Sequence, residues 1–457
     1  MISFTQLQQR ASQRWLIGLD NQQLIELAAQ RVQALTHLSA SRTSPTVLLA
    51  ASDPVDFLAG LIAACSLNCP LFLGNPQWVE AEWQQVLALA EPDVIWGAEK
   101  WRSAKVRRQG SRNPKPQPGW IMIPTGGSSG QIRFAIHTWE TLTAAVRGFQ
   151  AYFHVEQIHS CCVLPLYHVS GLMQFLRSFV TGGKLAVLPF KTFEQHLPDL
   201  PDLELHELHP SEFFLSLVPT QLQRLLHSPT VEKLAAFQTI FLGGAPAWAS
   251  LLETARAYAL RLAPTYGMTE TAAQIVTLSP DDFLQGATGV GAVLPHARVQ
   301  VCDSTGGAAS IGEVGSIMVQ SCSLMLGYFP DATQATEFQT DDVGFFDAVG
   351  NLHIVGRNSQ KIITGGENVF PAEVEAAIRA TGLVRDVSVV GMPDQTWGEA
   401  VTAIYVPSSP EVNISALQTA IAPQLSKYKH PKQWIVVDSL PRNVQGKINY
   451  DMLKQIL

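Results

Sequence analysis

Short, continuous apolar runs alternate with stretches of helical periodicity through the first half of the chain. Runs of this kind, separated by helical patterns, are typical of strands in a mostly parallel sheet that helices cover on both faces. A helix is predicted over Pro54–Ser66, directly after the first such strand. The strands are predicted at 46–51, 70–74, 93–97, 161–166, 184–189, 213–218 and 239–244.

The pattern changes twice in the second half of the chain. Short strands separated by Gly-rich turns occupy 289–355 and indicate a small β-barrel or antiparallel unit. A new α+β segment then begins, so we expect an N-terminal domain over 1–357 and a C-terminal domain over 358–457, with a hinge near 358–361. In the C-terminal domain the pattern predicts helices at 371–381 and 414–425 and strands at 386–393, 400–407 and 433–438.

Composition excludes several classes of protein. The chain has 457 residues, of which 46% are hydrophobic and 15% charged, which indicates packed cores rather than disorder. A net charge of −7 without a run of Lys or Arg argues against a nucleic-acid partner. The most apolar stretch, 57–73, contains Gly60, Asn68 and Pro70, so it predicts a buried helix leading into a strand rather than a membrane insertion. Six cysteines without a zinc-binding pattern indicate reduced thiols and a cytoplasmic protein.

A Gly- and Ser-rich segment follows the predicted strand that ends near Pro124. Glycines allow a close approach of the backbone to a ligand, and successive N–H groups can form a concavity that binds anions. Arg133 lies within reach of such an anion, but no Gly-Lys-Ser/Thr follows as in the usual nucleoside-triphosphatase loop. Taken alone, the segment is equally well explained as a surface loop. Its residues are Thr125, Gly126, Gly127, Ser128, Ser129 and Gly130.

Two further strands end in glycines and hydroxyl residues, at the sheet edge where open α/β folds bind ligands. In the sequence YGMTET, Glu270 is suited to Mg²⁺, because this hard cation prefers carboxylate and phosphate oxygens. Ordinary strand-to-helix turns are the alternative for each motif alone. The residues concerned are Gly243, Gly244, Ala245, Pro246, Tyr266, Gly267, Thr269 and Glu270.

Charged residues nearer the C-terminus are further candidates for ligand binding. Asp342 and Arg357 lie at the two ends of a predicted pair of strands, where a carboxylate and a guanidinium can grip ribose hydroxyls. Lys447 lies between Gly446 and an apolar residue in the sequence LPRNVQGKI. A lysine in that setting is, on its own, usually a surface charge.

Together these motifs resemble the adenylate-forming superfamily, which includes acyl-CoA synthetases, firefly luciferase and the adenylation domains of peptide synthetases. The resemblance runs from about residue 45 to the end of the chain, with the motifs in the family's order. It implies a large N-terminal portion with two mostly parallel α/β sheets and a small β-barrel, followed by a smaller, mobile α+β C-terminal domain. It also implies that ATP, Mg²⁺ and coenzyme A act on a small carboxylic acid, which is adenylated and then converted to a thioester.

The resemblance assigns a role to each motif. It implies that the loop 125–133 holds the departing phosphates, that Thr269 contacts the α-phosphate, and that Glu270 binds Mg²⁺. Asp342 and Arg357 would bind ribose, and Lys447 would be the mobile lysine of the adenylation step. The adenine pocket would comprise Gly243, Gly244, Ala245, Pro246 and Tyr266.

Coenzyme A would enter over the C-terminal domain in this family. Gly365 and Gly366 are predicted to let the pantetheine arm pass, and Lys427 and Lys429 are candidates for its phosphates, with a solvated basic turn as the alternative. Arg133 stands where the family usually has Lys, Gly126 where it has a hydroxyl residue, and Gln360 where its hinge often has Asp. The alternative that this chain is a nucleotide-binding homologue that has lost catalysis therefore stays open.

The segment PLYHVSGLMQFLRSFVTGG, 165–183, bears on the choice of acid. Its apolar positions have a helical period, and His168, Ser170 and Arg177 form a polar stripe with Gln174 between them. A cation at the end of that stripe suits a substrate with a second carboxylate, although a structural ion pair would also explain it. The segment resembles the 2-succinylbenzoate–CoA ligases of menaquinone and phylloquinone synthesis. That resemblance places Gly267 beside the substrate. A ligase for another aryl or short-chain acid is the alternative. The protein is also a candidate homodimer.

Overall fold

The computed structural model describes residues 4–10, 13–39, 44–101, 114–126, 131–197, 209–333, 336–442, 448–449 and 452–453. Its strands are β1 Leu16–Ile17, β2 Val47–Leu49, β3 Leu71–Leu73, β4 Val94–Trp96, β5 Ile121–Gly126, β6 Ile132–His137, β7 His159–Cys162, β8 Leu185–Val187, β9 Phe213–Leu217, β10 Thr239–Leu242, β11 Leu262–Met268, β12 Ala273–Thr277, β13 Ala292–Val293, β14 Ala297–Cys302, β15 Gly315–Ser321, β16 Gly327–Phe329, β17 Asp331–Ala332, β18 Phe338–Phe346, β19 Leu352–Arg357, β20 Ile362–Thr364, β21 Glu367–Val369, β22 Val384–Asp394, β23 Gly398–Pro407 and β24 Gln433–Val436.

The helices account for most of the remaining regular structure. They are α1 Phe4–Arg10, α2 Asn21–Ser39, α3 Pro54–Ser66, α4 Glu80–Ala90, α5 Trp139–Phe153, α6 Val169–Thr181, α7 Phe190–His196, α8 Pro219–Leu226, α9 Ala249–Ala257, α10 Pro280–Leu284, α11 Pro371–Ala380 and α12 Ile414–Ile421. In the part of the chain that the structure describes, no helix is both long enough and apolar enough to cross a bilayer.

Two large sheets form the N-terminal part, as the α/β prediction requires. One has the strand order β1-β8-β7-β9-β10-β11-β12-β13 and is parallel from β1 to β11. The other has the order β17-β16-β6-β5-β3-β2-β4, and only its β5-β3-β2-β4 half is parallel. It is therefore less parallel than predicted, because β6 turns back beside β5 in a hairpin.

Three helices separate these two sheets. Side chains from α3, α5 and α6 share one buried cluster with residues of both sheets, including Leu49, Ile123 and Phe241. Helix α3 begins at Pro54, a residue suited to a first helical position, and the Asp53 carboxylate accepts a hydrogen bond from the Asp56 N–H. Helix α3 is buried on nearly every side, which explains its continuous apolar sequence.

The predicted small barrel is instead an open antiparallel sheet with the order β14-β15-β18-β19. No pairing between its outer strands closes it among the described residues. Its apolar face is covered by side chains of β11 and β12, including Tyr266, Ile275 and Val276. Because the neighbouring sheet already buries this face, the four strands have no need to close on themselves.

The C-terminal segment carries the fourth sheet of the described residues, with the order β21-β20-β23-β22, and β24 lies parallel to β23. Helices α11 and α12 bury its apolar face through residues such as Val374, Ile378 and Leu417. Helix α12 ends at Ile421, four residues before the predicted end of this helix. The domain boundary near residue 358 stays a prediction.

One buried carboxylate belongs to this C-terminal core. Burial raises the pKa of Glu375 to about 7, against the opposing effects of the Val389 N–H, which donates to Glu375 at 2.8 Å, and of Arg379. The folded protein therefore keeps the Glu375 proton at pH values where the unfolded chain, in which Glu375 has a lower pKa, has already released it. The resulting stabilisation is complete below that lower value and is lost as the pH rises through about 7.

We expect Glu375→Gln to be more stable than the parent protein at pH 8, with the difference shrinking towards pH 5. The upper bound on the gain is about 3 kcal/mol, because each unit of pKa shift corresponds to about 1.4 kcal/mol. Urea unfolding at both pH values measures the effect, with the exposed Glu411→Gln as a control. Parallel pH profiles for Glu375→Gln and the parent would contradict this assignment.

Candidate active site

Strands β9, β10 and β11 are parallel neighbours, so their carboxyl ends meet at one edge of the eight-stranded sheet. After β10, the Gly243 N–H donates to the Leu217 carbonyl at 3.2 Å, and Gly244 adopts a positive φ of +81°. A Cβ at Gly243 would lie 2.6 Å from the Thr265 hydroxyl oxygen. Both glycines are therefore required for the loop, which continues through the exposed Ala245 and Pro246, to lie this close to β11.

Three of the predicted residues form a hydrogen-bonded cluster at that edge. Asp342 and Arg357 are direct partners in the antiparallel register of β18 and β19. The Tyr266 hydroxyl donates to one Asp342 oxygen at 2.8 Å, and the Arg357 Nε lies 3.2 Å from the other. Burial and the Asp342 carboxylate raise the pKa of Tyr266, so the phenol stays protonated. The carboxylate is fixed from two sides while the Arg357 side chain remains half exposed.

A second cluster joins Arg133 to Glu270 through a residue that sequence reasoning missed. The Arg133 guanidinium lies over the Tyr328 ring, 4.1 Å from its centroid. The Tyr328 hydroxyl in turn donates to Glu270 Oε1 at 2.5 Å. Burial and the Glu270 charge raise the pKa of Tyr328, so this hydroxyl is a donor. Nothing in the sequence around Tyr328 indicated its position, because the contact spans 58 residues of chain.

The anion-binding segment connects β5 to β6, and Thr125 is the direct partner of Arg133 in that hairpin. The Thr125 hydroxyl oxygen is buried and has no hydrogen-bond partner among the described residues. A buried hydroxyl without a partner is costly, so it marks a position that a polar ligand can satisfy. The predicted residues Gly127, Ser128, Ser129, Gly130 and Lys447 lie outside the described residues.

The turn with Thr269 and Glu270 is held from behind by a buried histidine, also missed by sequence reasoning. The His137 Nε2 lies 2.7 Å from the Thr269 carbonyl oxygen, and its Nδ1 lies 3.0 Å from the Thr141 hydroxyl. Burial lowers the pKa of His137 to about 4, so the ring is neutral near pH 7. A neutral ring donating to the carbonyl fixes the turn without adding charge to the site.

Arg177 is buried in α6, and no acidic side chain of the described residues pairs with it. Arg177 is 4% exposed. Its Nη2 donates to Gln274 Oε1 at 2.8 Å, and its guanidinium lies 4.3 Å from the centroid of the Phe149 ring. Its Nε has no hydrogen-bond partner, and no carboxylate forms an ion pair with it, among the described residues. Burial lowers the pKa of Arg177 to about 9, so it is still protonated at neutral pH.

Other polar groups near Arg177 are also left without partners. Both ring nitrogens of His296 and the Gln174 Oε1 have no partner within the described part of the chain. The His296 ring packs against Gly148, where a Cβ would come within 1.8 Å of it. Burial, with a smaller effect of the Arg177 charge, lowers the pKa of His296 to about 4. Gln274 and His296 lie far along the chain from α6, which is why the sequence gave no signal for them.

The remaining acid-site residues lie at the start of α6. His168 occupies the position before the first helical residue, with its ring 4.4 Å from that of Tyr167, and Ser170 is half-buried. The Ser170 carbonyl oxygen accepts a hydrogen bond from the Gln174 side chain at 3.0 Å. Ser170, Gln174 and Arg177 therefore lie on α6, and His168 lies directly before it.

The coenzyme A candidates lie on the C-terminal sheet and differ in their accessibility. Gly365 and Gly366 form the exposed turn between β20 and β21, with φ values of +58° and +85°. Lys427 is exposed, whereas the Lys429 ammonium forms an ion pair with Glu373. Lys429 is thus already engaged within the protein, and Lys427 is the more accessible cation.

A family model for AMP-binding enzymes matches residues 96–329, slightly more than half of the chain, and the model for their C-terminal domain matches residues 373–447. The chain belongs to the AMP-binding enzyme family. The resemblance seen in the sequence is therefore confirmed. Within the described residues, no three His, Cys, Asp or Glu side chains gather into a preformed metal site, so a metal in this AMP-binding enzyme would need oxygens from its ligand.

Named relatives of this AMP-binding enzyme are about one-third identical to it over the aligned residues. It is 33% identical to the 2-succinylbenzoate–CoA ligase of Listeria monocytogenes, over 72% of this chain and 68% of the relative. The corresponding ligase of a Geobacillus species is 32% identical, over 73% of this chain and 68% of the relative.

Solved structures of similar fold cover nearly the whole chain. The o-succinylbenzoate CoA synthetase of Bacillus subtilis, in complex with its acyl-adenylate intermediate, has a TM-score of 0.83 at 24% identity, covering 98% of this chain and 97% of that one. ATP-bound MatB of Rhodopseudomonas palustris has a TM-score of 0.81 at 22% identity, covering 99% and 98%. These similarities establish that the fold is shared.

Gly267 lies where the pairing of β11 with β12 shifts register, and a Cβ there would come within 2.1 Å of the Ala273 carbonyl oxygen. We expect Gly267→Ala to lower the free energy of unfolding by about 1–3 kcal/mol, because the backbone must move to relieve the clash. Gly307→Ala is the control, since its nearest neighbour is a flexible Asp303 side chain at 3.3 Å. Equal urea midpoints for the two variants would show that the close approach is not real.

Proposed function

We propose that this chain is an ATP-dependent acid–CoA ligase that converts 2-succinylbenzoate to 2-succinylbenzoyl-CoA through an acyl-adenylate. Membership of the AMP-binding enzyme family supports the adenylating chemistry. The names of the relatives that are about one-third identical over the aligned residues support the choice of acid. The observation that carries the choice of acid is the buried guanidinium of Arg177.

A buried cation is costly unless an anion or several acceptors compensate it. Arg177 has one amide oxygen and one aromatic face as partners, and its Nε is unsatisfied among the described residues. A substrate carboxylate would supply the missing charge and a second hydrogen bond. 2-Succinylbenzoate has the succinyl carboxylate to be activated and an aromatic carboxylate that stays free. Benzoate and simple fatty acids have no second carboxylate, so they would leave Arg177 uncompensated.

The nucleotide would lie along the edge formed by β10, β11 and β18. The close loop from Gly243 to Pro246 offers backbone groups to a base. Asp342, fixed by Tyr266 and Arg357, offers carboxylate oxygens to ribose hydroxyls. Because the Tyr266 hydroxyl is held by Asp342, Tyr266 would contribute its ring rather than its hydroxyl to the base.

The reacting groups are anions, so cations must screen their approach. Glu270 would hold Mg²⁺, which supplies positive charge between the phosphates when bound. Tyr328 occupies one Glu270 oxygen, which orients the carboxylate and leaves its second oxygen for this purpose. Thr125, the following loop and Arg133 would bind the departing phosphates. Thr269 would contact the α-phosphate, and Lys447 would stabilise the charge that develops as the substrate carboxylate attacks.

The second half-reaction replaces AMP with the thiol of coenzyme A. We infer that the C-terminal domain turns so that the Gly365–Gly366 turn borders the pantetheine path, with Lys427 available to the phosphates. Free cysteines, four of them buried, support action in the reducing cytoplasm. A homodimer stays a prediction, which light scattering of the purified protein would decide.

A coupled assay tests the proposed function directly. With ATP, Mg²⁺ and coenzyme A, we expect pyrophosphate release with 2-succinylbenzoate to exceed that with benzoate or fatty acids by at least about 100-fold, because truncating a buried charge pair costs several kcal/mol. Equal rates across the panel would indicate a ligase for another acid. No release with any acid would indicate a homologue that only binds nucleotide.

Substitution of Arg177 tests the assignment of the free carboxylate. We expect Arg177→Ala to raise KM for 2-succinylbenzoate by about 30-fold or more, and KM for ATP by less than about 3-fold. Arg256→Ala is a matched control, because Arg256 also lies over a phenylalanine ring but donates to two backbone carbonyls. An unchanged KM for 2-succinylbenzoate would refute the role of Arg177.

The two half-reactions separate the role of Lys447. We expect Lys447→Ala to reduce adenylate formation by at least about 100-fold, the range seen when one charge-stabilising donor is removed. Thioester formation from a supplied acyl-adenylate should be nearly unchanged. The assigned role would be wrong if both half-reactions kept their rates.

A further inference from the structure

A cation–π contact joins the C-terminal segment to the nucleotide edge. Arg379, on α11, lies with its guanidinium 5.0 Å from the centroid of the Trp248 ring. Trp248 directly precedes α9 and follows the loop Gly243–Pro246 by two residues. The contact therefore connects the first helix of the C-terminal segment to the chain that leaves the proposed adenine loop.

The same guanidinium belongs to an ion-pair network within the C-terminal sheet. Its Nη2 lies 2.9 Å from Asp386 Oδ1 and donates to the Val387 carbonyl at 2.7 Å. Arg442 binds the same carboxylate from another direction, with its Nη2 2.8 and 2.7 Å from the two oxygens and its Nε at 3.1 Å from Oδ2. Asp386 is thus shared by two arginines, one of which contacts Trp248. Charge-assisted, forked contacts of this kind fix geometry strongly.

Arg442 directly precedes residues 443–447, which include Lys447. Its backbone forms an antiparallel bridge with Ile448, the residue that follows Lys447. Arg442 and Ile448, which border 443–447, are therefore held together, and the Arg442 side chain binds Asp386. Every step from Trp248 through Arg379 and Asp386 to Arg442 is a direct contact between described residues.

We propose that Trp248, Arg379, Asp386 and Arg442 form a positioning relay, which aligns the Lys447 segment with the nucleotide edge for the adenylation step. This inference rests on the proposed function, in which Lys447 serves adenylation only. None of the four side chains contacts the reacting atoms in this account, so all four are positioning residues. The Trp248–Arg379 contact links two parts that must separate when the C-terminal domain turns. It therefore favours the adenylating arrangement over the thioester-forming one.

Trp248→Ala tests the relay most simply. We expect it to lower the rate of ATP–pyrophosphate exchange about 5- to 10-fold, with thioester formation from a supplied acyl-adenylate unchanged or faster. Trp248→Phe keeps a ring under Arg379 and should recover most of the exchange rate. Arg442→Lys keeps the charge but loses the forked contact, so it should reproduce the selective loss. Arg385→Ala is the control, because Arg385 lies on the same strand as Asp386, is exposed, and among the described residues donates only to the Pro407 carbonyl.

Combining Trp248→Ala with Arg442→Lys distinguishes a relay from two separate effects. In a relay the double variant should lose little more exchange activity than the worse single variant. The proposal would be overturned if the losses of the two single variants multiplied in the double variant. It would also be overturned if the variants lost activity equally in both half-reactions, or lost none in either. Exchange is measured with whichever acid supports the fastest rate in the parent protein. Absence of exchange with every acid would overturn both the relay and the proposed function, whereas a parent that exchanges and variants that match it would overturn the relay alone.

Discussion

The buried guanidinium of Arg177, whose partners among the described residues are an amide and an aromatic ring and not an acid, is the interaction on which the account of this protein depends. Arg177 projects from α6, Phe149 belongs to α5, and Gln274 lies on β12. These three elements meet only because the helices are packed between the sheets. The charge is therefore buried at a position that the fold fixes, which supports the proposal that it binds an anion and does not form a surface ion pair.

Strand β12 and its partner β11 connect the proposed anion site to the proposed nucleotide edge. Gln274 lies on β12 a few residues beyond Thr269 and Glu270, and β11 brings Tyr266 to Asp342. The proposed acid pocket and the proposed phosphate-binding turn thus share one antiparallel pair, whose strands approach closely at Gly267. A change in this pair would move both ends of the substrate, so the pair acts as a rigid spacer between the two proposed carboxylate positions.

Local patterns in the sequence predicted much of this arrangement. Helix α3 has the predicted bounds, and Asp342 and Arg357 are paired across a strand register as their positions indicated. These features depend on periodicity, caps and neighbouring strands, which a single sequence contains. The phosphate-binding roles of the Gly- and Ser-rich segment and of Lys447 stay predictions.

The remaining features depend on contacts between distant parts of the chain. Tyr328 reaches Glu270, and His137 reaches Thr269, across 58 and 132 residues, so no local spacing could have indicated either contact. The open sheet in place of a barrel has the same origin, because its partner surface comes from β11 and β12. Arg177 itself was predicted, but whether it had an acidic partner could be judged only once its surroundings were known.

A crystal structure with 2-succinylbenzoate bound as its adenylate would test the central claim most directly. The account predicts that the free aromatic carboxylate lies within about 3 Å of the Arg177 guanidinium, with Gln274 still bonded to its Nη2. A complex in which that carboxylate points elsewhere, while Arg177 keeps only Gln274 and Phe149 as partners, would contradict it.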